Sequence, residues 1–127
     1  MWAAVRHLGA ERIGHGVRSV EDPALLEHLA ARGITLDVAL TSNTQTGASP
    51  SLREHQIHAL LAAGVPVTIN TDDPRVSDVT LSQEHRTAVT DVGLTPRQLR
   101  TLAEQSARAA FTDLGTVGAW RSSTRQR

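Results

Sequence analysis

The 127-residue sequence contains no cysteine. That removes disulfides, thiolate nucleophiles and every zinc site built on sulfur, the Cys-x-x-Cys pair included. Aromatic residues are almost missing as well: Phe111, Trp2 and Trp120 are present and tyrosine is not. Few rings are left on which the bases of a single strand would stack. An excess of one charge is also lacking, because Lys plus Arg and Asp plus Glu each number 13. Nothing in that balance pulls the chain toward nucleic acid or an acidic membrane surface. No apolar run approaches the ~18 residues of a membrane span, and no signal segment opens the chain. The expectation is a cytoplasmic protein with neither nucleic-acid nor membrane partners.

What is present is aliphatic and periodic. Asp22-Pro23 reads as a helix N-cap with proline in the first turn; Leu25, Leu26 and Leu29 share a face, and Gly33 is the stop. Ser51-x-x-Glu54, Thr80-x-x-Gln83 and Thr95-Pro96-x-Gln98 are capping patterns that open three more helices. Between them lie Arg12-Ile13-Gly14, Ile34 to Leu40 and Val65 to Ile69, runs of strand length, with Pro66 marking entry to the third. Met1 to Val5 reads as helix interior. Strands separated by helices imply right-handed crossovers and a parallel sheet. The fold class is therefore α/β.

Polar residues fall at one repeated place, directly after each strand: His15, then Ser42 and Asn43, then Asp72 and Asp73. In parallel α/β architectures ligands bind at the carboxyl ends of the strands, where loops and helix N-termini converge. Three such clusters at three successive strand ends would face one site. Singly, each has an ordinary reading. A histidine between glycines is commonly a loop residue. Aspartates before proline cap turns, although two adjacent carboxylates would repel each other and welcome a cation. Thr41-Ser42-Asn43 fits turn chemistry too. His7, His28, His55, His58 and His85 are read as helical, and the i, i+3 pair of His55 and His58 as an exposed face rather than a metal site.

Taken in order, the motifs are specific. Arg-Ile-Gly-His-Gly-Val (12–17), Thr-Ser-Asn-x-Gln-Thr-Gly-Ala (41–48) and Asn-Thr-Asp-Asp-Pro (70–74) resemble the C-terminal part of the adenosine deaminase family. Gly-Leu-Thr-Pro (93–96) and Ser-x-x-Ala-Ala-Phe (106–111) resemble the helices that close that family's chain. The resemblance implies a partial (β/α)8 TIM barrel over residues 1–114, amounting to the last three βα units and the closing helices. Residues 115–127 are left as an unassigned tail, expected to be flexible.

The resemblance also implies zinc-dependent hydrolysis of adenosine to inosine and ammonia. Asp72 would be the aspartate ligand of Zn2+, Asp73 would bind the purine ring, and His15 would be the catalytic residue beside the metal-bound water. The family's His-x-His pair and its His-Ala-Gly-Glu motif are missing here, and with them three histidine ligands and a proton donor. Ala39-Leu40 stands where the family usually has Cys-Pro. The chain is accordingly expected to be an incomplete fragment, inactive alone, with a further chain as the possible source of the missing N-terminal half. Two alternatives stand beside this: a non-catalytic half-barrel used for binding or assembly, and a deaminase of adenine or another aminopurine.

Overall fold

The computed structural model describes residues 1–112, so the tail expected at 115–127 lies outside the described residues. Three strands, β1 (Arg12–Gly14), β2 (Thr35–Val38) and β3 (Val67–Ile69), form one sheet in the order β1-β2-β3. Both pairings are parallel, with Gly14 beside Asp37 and Asp37 beside Thr68. Among the described residues six α-helices accompany them: α1 (Trp2–Arg6), α2 (Pro23–Arg32), α3 (Leu40–Gln45), α4 (Ile57–Ala62), α5 (Leu81–Thr90) and α6 (Pro96–Ala109). The expected parallel α/β alternation is present.

Helices α2, α5 and α6 begin at local side-chain caps. The Asp22 carboxylate accepts the Leu25 N–H at 3.1 Å to cap α2, and its other oxygen accepts the indole N–H of Trp2 at 2.8 Å. Those bonds hold the Asp22 carboxyl below its usual range, the indole contributing most. Thr80 and Thr95 cap α5 and α6, each in a complete capping box with Gln83 and Gln98. The Ser51–Glu54 pattern behaves differently. The Glu54 N–H does donate to Ser51 Oγ at 3.1 Å, but the pair closes a turn, and α4 starts only at Ile57. His55 therefore lies in that turn, not in a helix.

Strand alternation divides the sheet into two chemically distinct faces. Leu36, Val38, Val67 and Ile69 are buried and join Leu25, Leu29, Ile57 and Leu60 in the core, with Ile13 packed against them. Arg12, Asp37 and Thr68 occupy the alternate positions and are hydrogen-bonded in a row. Arg12 Nε donates to Asp37 Oδ2 at 3.1 Å, Thr68 Oγ1 donates to Asp37 Oδ1 at 2.7 Å, and Asn70 Nδ2 donates to Thr68 Oγ1 at 2.8 Å. A parallel sheet enclosed by helices on both sides would read as continuously apolar. One apolar face and one hydrogen-bonded face indicate a sheet that covers its core on one side and presents chemistry on the other.

Candidate active site

The strands end together, and their ends hold the polar clusters. After β1 the backbone turns through two left-handed residues, His15 (φ 60°) and Gly16 (φ 68°). A Cβ on Gly16 would meet Leu36 Cδ2 at 2.8 Å, so this turn needs glycine. His15 adopts a conformation that costs a non-glycine residue ~1–2 kcal/mol. Its N–H is anchored on the Asp37 carbonyl at 2.8 Å. After β3, Asp72 takes the same left-handed conformation (φ 59°). Strain held at two facing polar residues points to function at both.

The second strand end differs from its expectation. Thr41, Ser42 and Asn43 belong to the first turn of α3 rather than to a loop. Ala39, the N-cap, has no side chain that could satisfy the free amides there. Glu84 reaches across from α5 instead. Its carboxylate, wholly buried, accepts the Leu40 N–H at 2.9 Å and the Thr41 N–H at 3.2 Å. A negative group at a helix N-terminus is favoured by both the free donors and the helix dipole. A proline at position 40 would have no N–H to give, so Leu40 supplies a donor that Cys-Pro would lack.

With α3 fixed, its side chains meet the other two strand ends. Ser42 Oγ donates to Asp72 Oδ2 at 2.7 Å. Asn43 Nδ2 lies 3.0 Å from His15 Nδ1, and His15 Nε2 lies 3.7 Å from Asp72 Oδ2. His15, Ser42, Asn43 and Asp72 thus close a ring across all three strands. Beside it opens a cleft of about 380 Å³ lined by Gly14, His15, Asp37, Asn70 and Asp72, among others. Asp73 is exposed and occupied otherwise: its Oδ1 accepts the N–H groups of Arg75 and Val76 at 3.0 and 3.2 Å and closes the turn after β3.

Three residues of this region have roles that sequence reasoning missed. Asp37 was visible only as an interruption of an apolar run, yet it joins all three strands. Glu84 left a usable trace, since it stands four residues before Ala88 on the buried face of α5. His55 left none, because its burial depends on the turn around it. It is 2% exposed, with Nε2 3.4 Å from Asn43 Oδ1. His58 turns away to the Val92 carbonyl at 2.9 Å, so the two histidines address different partners.

These features define a class first: an α/β sheet whose carboxyl-end rim gathers a carboxylate, an imidazole, a hydroxyl and an amide around a cleft. The family model "Adenosine deaminase" matches residues 1–120. The adenosine deaminase of Serratia proteamaculans is 48% identical over 111 residues, which are 87% of this chain and 33% of that protein. The aminodeoxyfutalosine deaminase of Streptomyces coelicolor is also 48% identical, over 113 residues covering 89% of this chain and 29% of that one. Among solved structures, an Arthrobacter aurescens adenine deaminase superimposes with a TM-score of 0.88 at 29% identity, covering 92% of this chain and 36% of its own. A zinc-bound amidohydrolase from Burkholderia ambifaria gives 0.84 at 28% identity, covering 95% and 34%. The chain belongs to the adenosine deaminase family. It is a C-terminal part of such a protein, spanning about a third of the length of the curated relatives it matches, and its sheet is a segment of a (β/α)8 barrel.

Proposed function

We propose that this chain supplies the carboxyl-terminal share of a purine deaminase active site. The observation that carries the reading is the ring of His15, Ser42, Asn43 and Asp72 at one rim of aligned parallel strands, in a chain of this family. The reaction is hydrolytic: water adds to the ring carbon bearing the amino group, and ammonia leaves. Asp72 offers the carboxylate for a catalytic metal, with Ser42 fixing one of its oxygens. His15 faces the same cleft and orients the attacking water, and Asp73 addresses the purine ring once its turn adjusts to substrate.

A catalytic zinc uses three protein ligands and an open position. Among the described residues, no three His, Cys, Asp or Glu side chains are placed to hold a metal ion. The residues present fit a share of such a site and not the whole, so the remaining donors come from the part of the barrel this chain does not contain. Zinc, when bound, lowers the pKa of its water toward neutrality.

Adenosine is the substrate we favour, since the Serratia relative is an adenosine deaminase. Equal identity to the Streptomyces enzyme makes another aminopurine, or aminodeoxyfutalosine itself, the second reading. The test is a chimera that joins this chain to the part of the Serratia enzyme it does not match. Metal-loaded chimera should release ammonia from adenosine, Asp72→Ala should cut that rate at least ~100-fold, and the 127-residue chain alone should release none. A folded, metal-loaded chimera inert toward adenosine, adenine and aminodeoxyfutalosine would overturn the reading.

A further inference from the structure

We propose that Asn43 and His55 are positioning residues for His15. In this reading a buried relay, starting at the backbone amide of Ile57, decides which nitrogen of the His15 imidazole carries the proton and faces it toward Asp72. The proposal rests on His15 being part of the deaminase rim, but its test does not depend on activity.

The relay follows from donor and acceptor chemistry taken one contact at a time. The Ile57 N–H lies 3.1 Å from His55 Nδ1. A backbone N–H only donates, so Nδ1 must accept, and the proton of the neutral ring sits on Nε2. That Nε2–H points to Asn43 at 3.4 Å, and an N–H there requires the amide oxygen, not the amide nitrogen, on the His55 side. The Asn43 NH2 is thereby turned to His15 Nδ1 at 3.0 Å. An NH2 group also only donates, so His15 Nδ1 accepts and its proton is placed on Nε2. Nε2 is the nitrogen 3.7 Å from Asp72 Oδ2, on the side of the cleft.

Burial enforces this order. Asn43 is 1% exposed and His55 2%. Reversing Asn43 or His55 would set two donors or two acceptors face to face away from water, and the Asn43 NH2 so fixed is the donor that the half-exposed His15 ring meets. Burial, with His58 nearby, also pushes the His55 imidazole down to about 4, so the ring stays neutral and its Nδ1 stays an acceptor at physiological pH. The backbone of His15 is fixed as well, because its N–H is tied to the Asp37 carbonyl and its φ lies in the left-handed region. The relay thus supplies the partner that gives His15 its tautomer, as outer partners do for metal-binding histidines.

The direct test is the protonation pattern of the full 127-residue chain with 15N-labelled histidine, read from long-range proton–nitrogen spectra at about pH 8, above the ordinary imidazole range. His15 and His55 should each show a single Nε2–H tautomer. Asn43→Asp replaces the donor with an acceptor and should move the His15 proton to Nδ1, a reversal that a merely structural role would not produce. His55→Ala frees the Asn43 amide and should leave His15 as a mixture of both tautomers. A Nδ1–H tautomer on either ring of the native chain overturns the proposal, and that result needs no variant to fold. So does an unchanged His15 pattern in folded Asn43→Asp, or a pure Nε2–H pattern in folded His55→Ala. An inactive chimera with these spectra intact would count against the deaminase reading alone.

Discussion

The second and third strand ends contribute equally to the rim and are built in opposite ways. After β2, Ser42 and Asn43 are buried, sit on a helix, and have their amide and hydroxyl partners assigned. After β3, Asp72 and Asp73 are exposed on a turn that Asp73 closes with its own carboxylate. One end is a scaffold that holds its neighbours in place; the other presents carboxylates to whatever enters the cleft. Substitutions in the first should therefore show up as stability, and substitutions in the second as chemistry.

The largest expected effect is at Glu84. Glu84→Ala leaves the Leu40 and Thr41 amides buried without acceptors and should cost ~3 kcal/mol in urea unfolding, with Glu84→Gln losing clearly less. A negligible change on Glu84→Ala would mean α3 is held by something else. Gly16→Ala should cost ~2 kcal/mol, combining the left-handed backbone with the contact on Leu36.

Acid should act through the scaffold as well. The unfolded chain takes up a proton on His55 below about 6.5, whereas the folded chain resists it down to about 4. Stability is therefore fully present above that window and lost as pH falls through it, by something on the order of 2 kcal/mol. Urea midpoints at the two ends of the window measure this, and His55→Gln should flatten the difference. Asp73→Ala removes a local turn closure and should cost ~1 kcal/mol or less. Smallest of all, Asp72→Asn keeps an acceptor for Ser42 and should change stability by under ~0.5 kcal/mol, while removing the carboxylate that the proposed chemistry needs. A strongly destabilised Asp72→Asn would erase the contrast between the two ends.

The same contrast explains what could be read from sequence. The strands and the caps at Asp22, Thr80 and Thr95 were legible because each rests on neighbours close in the chain. The convergence of His15, Ser42 and Asp72 followed because parallel α/β sheets gather their ligand-binding groups at the strands' carboxyl ends. The helical state of Thr41 to Asn43 was not, since its cap comes from Glu84, more than forty residues away. His55 was misplaced for a related reason: a capping pattern at Ser51 serves equally well to close a turn, and only burial against Asn43 distinguishes the outcomes. Local chemistry announces an element. Partners brought by the fold decide what its residues do.

Asp72, set at the end of β3 and held by Ser42, is the residue proposed as this chain's contribution to a shared metal site. Counting zinc bound to the Serratia chimera after exhaustive dialysis tests it most directly. About one zinc per chain is expected, falling ~10- to 100-fold in affinity or further in Asp72→Ala. Equal zinc retention by the two proteins would contradict it.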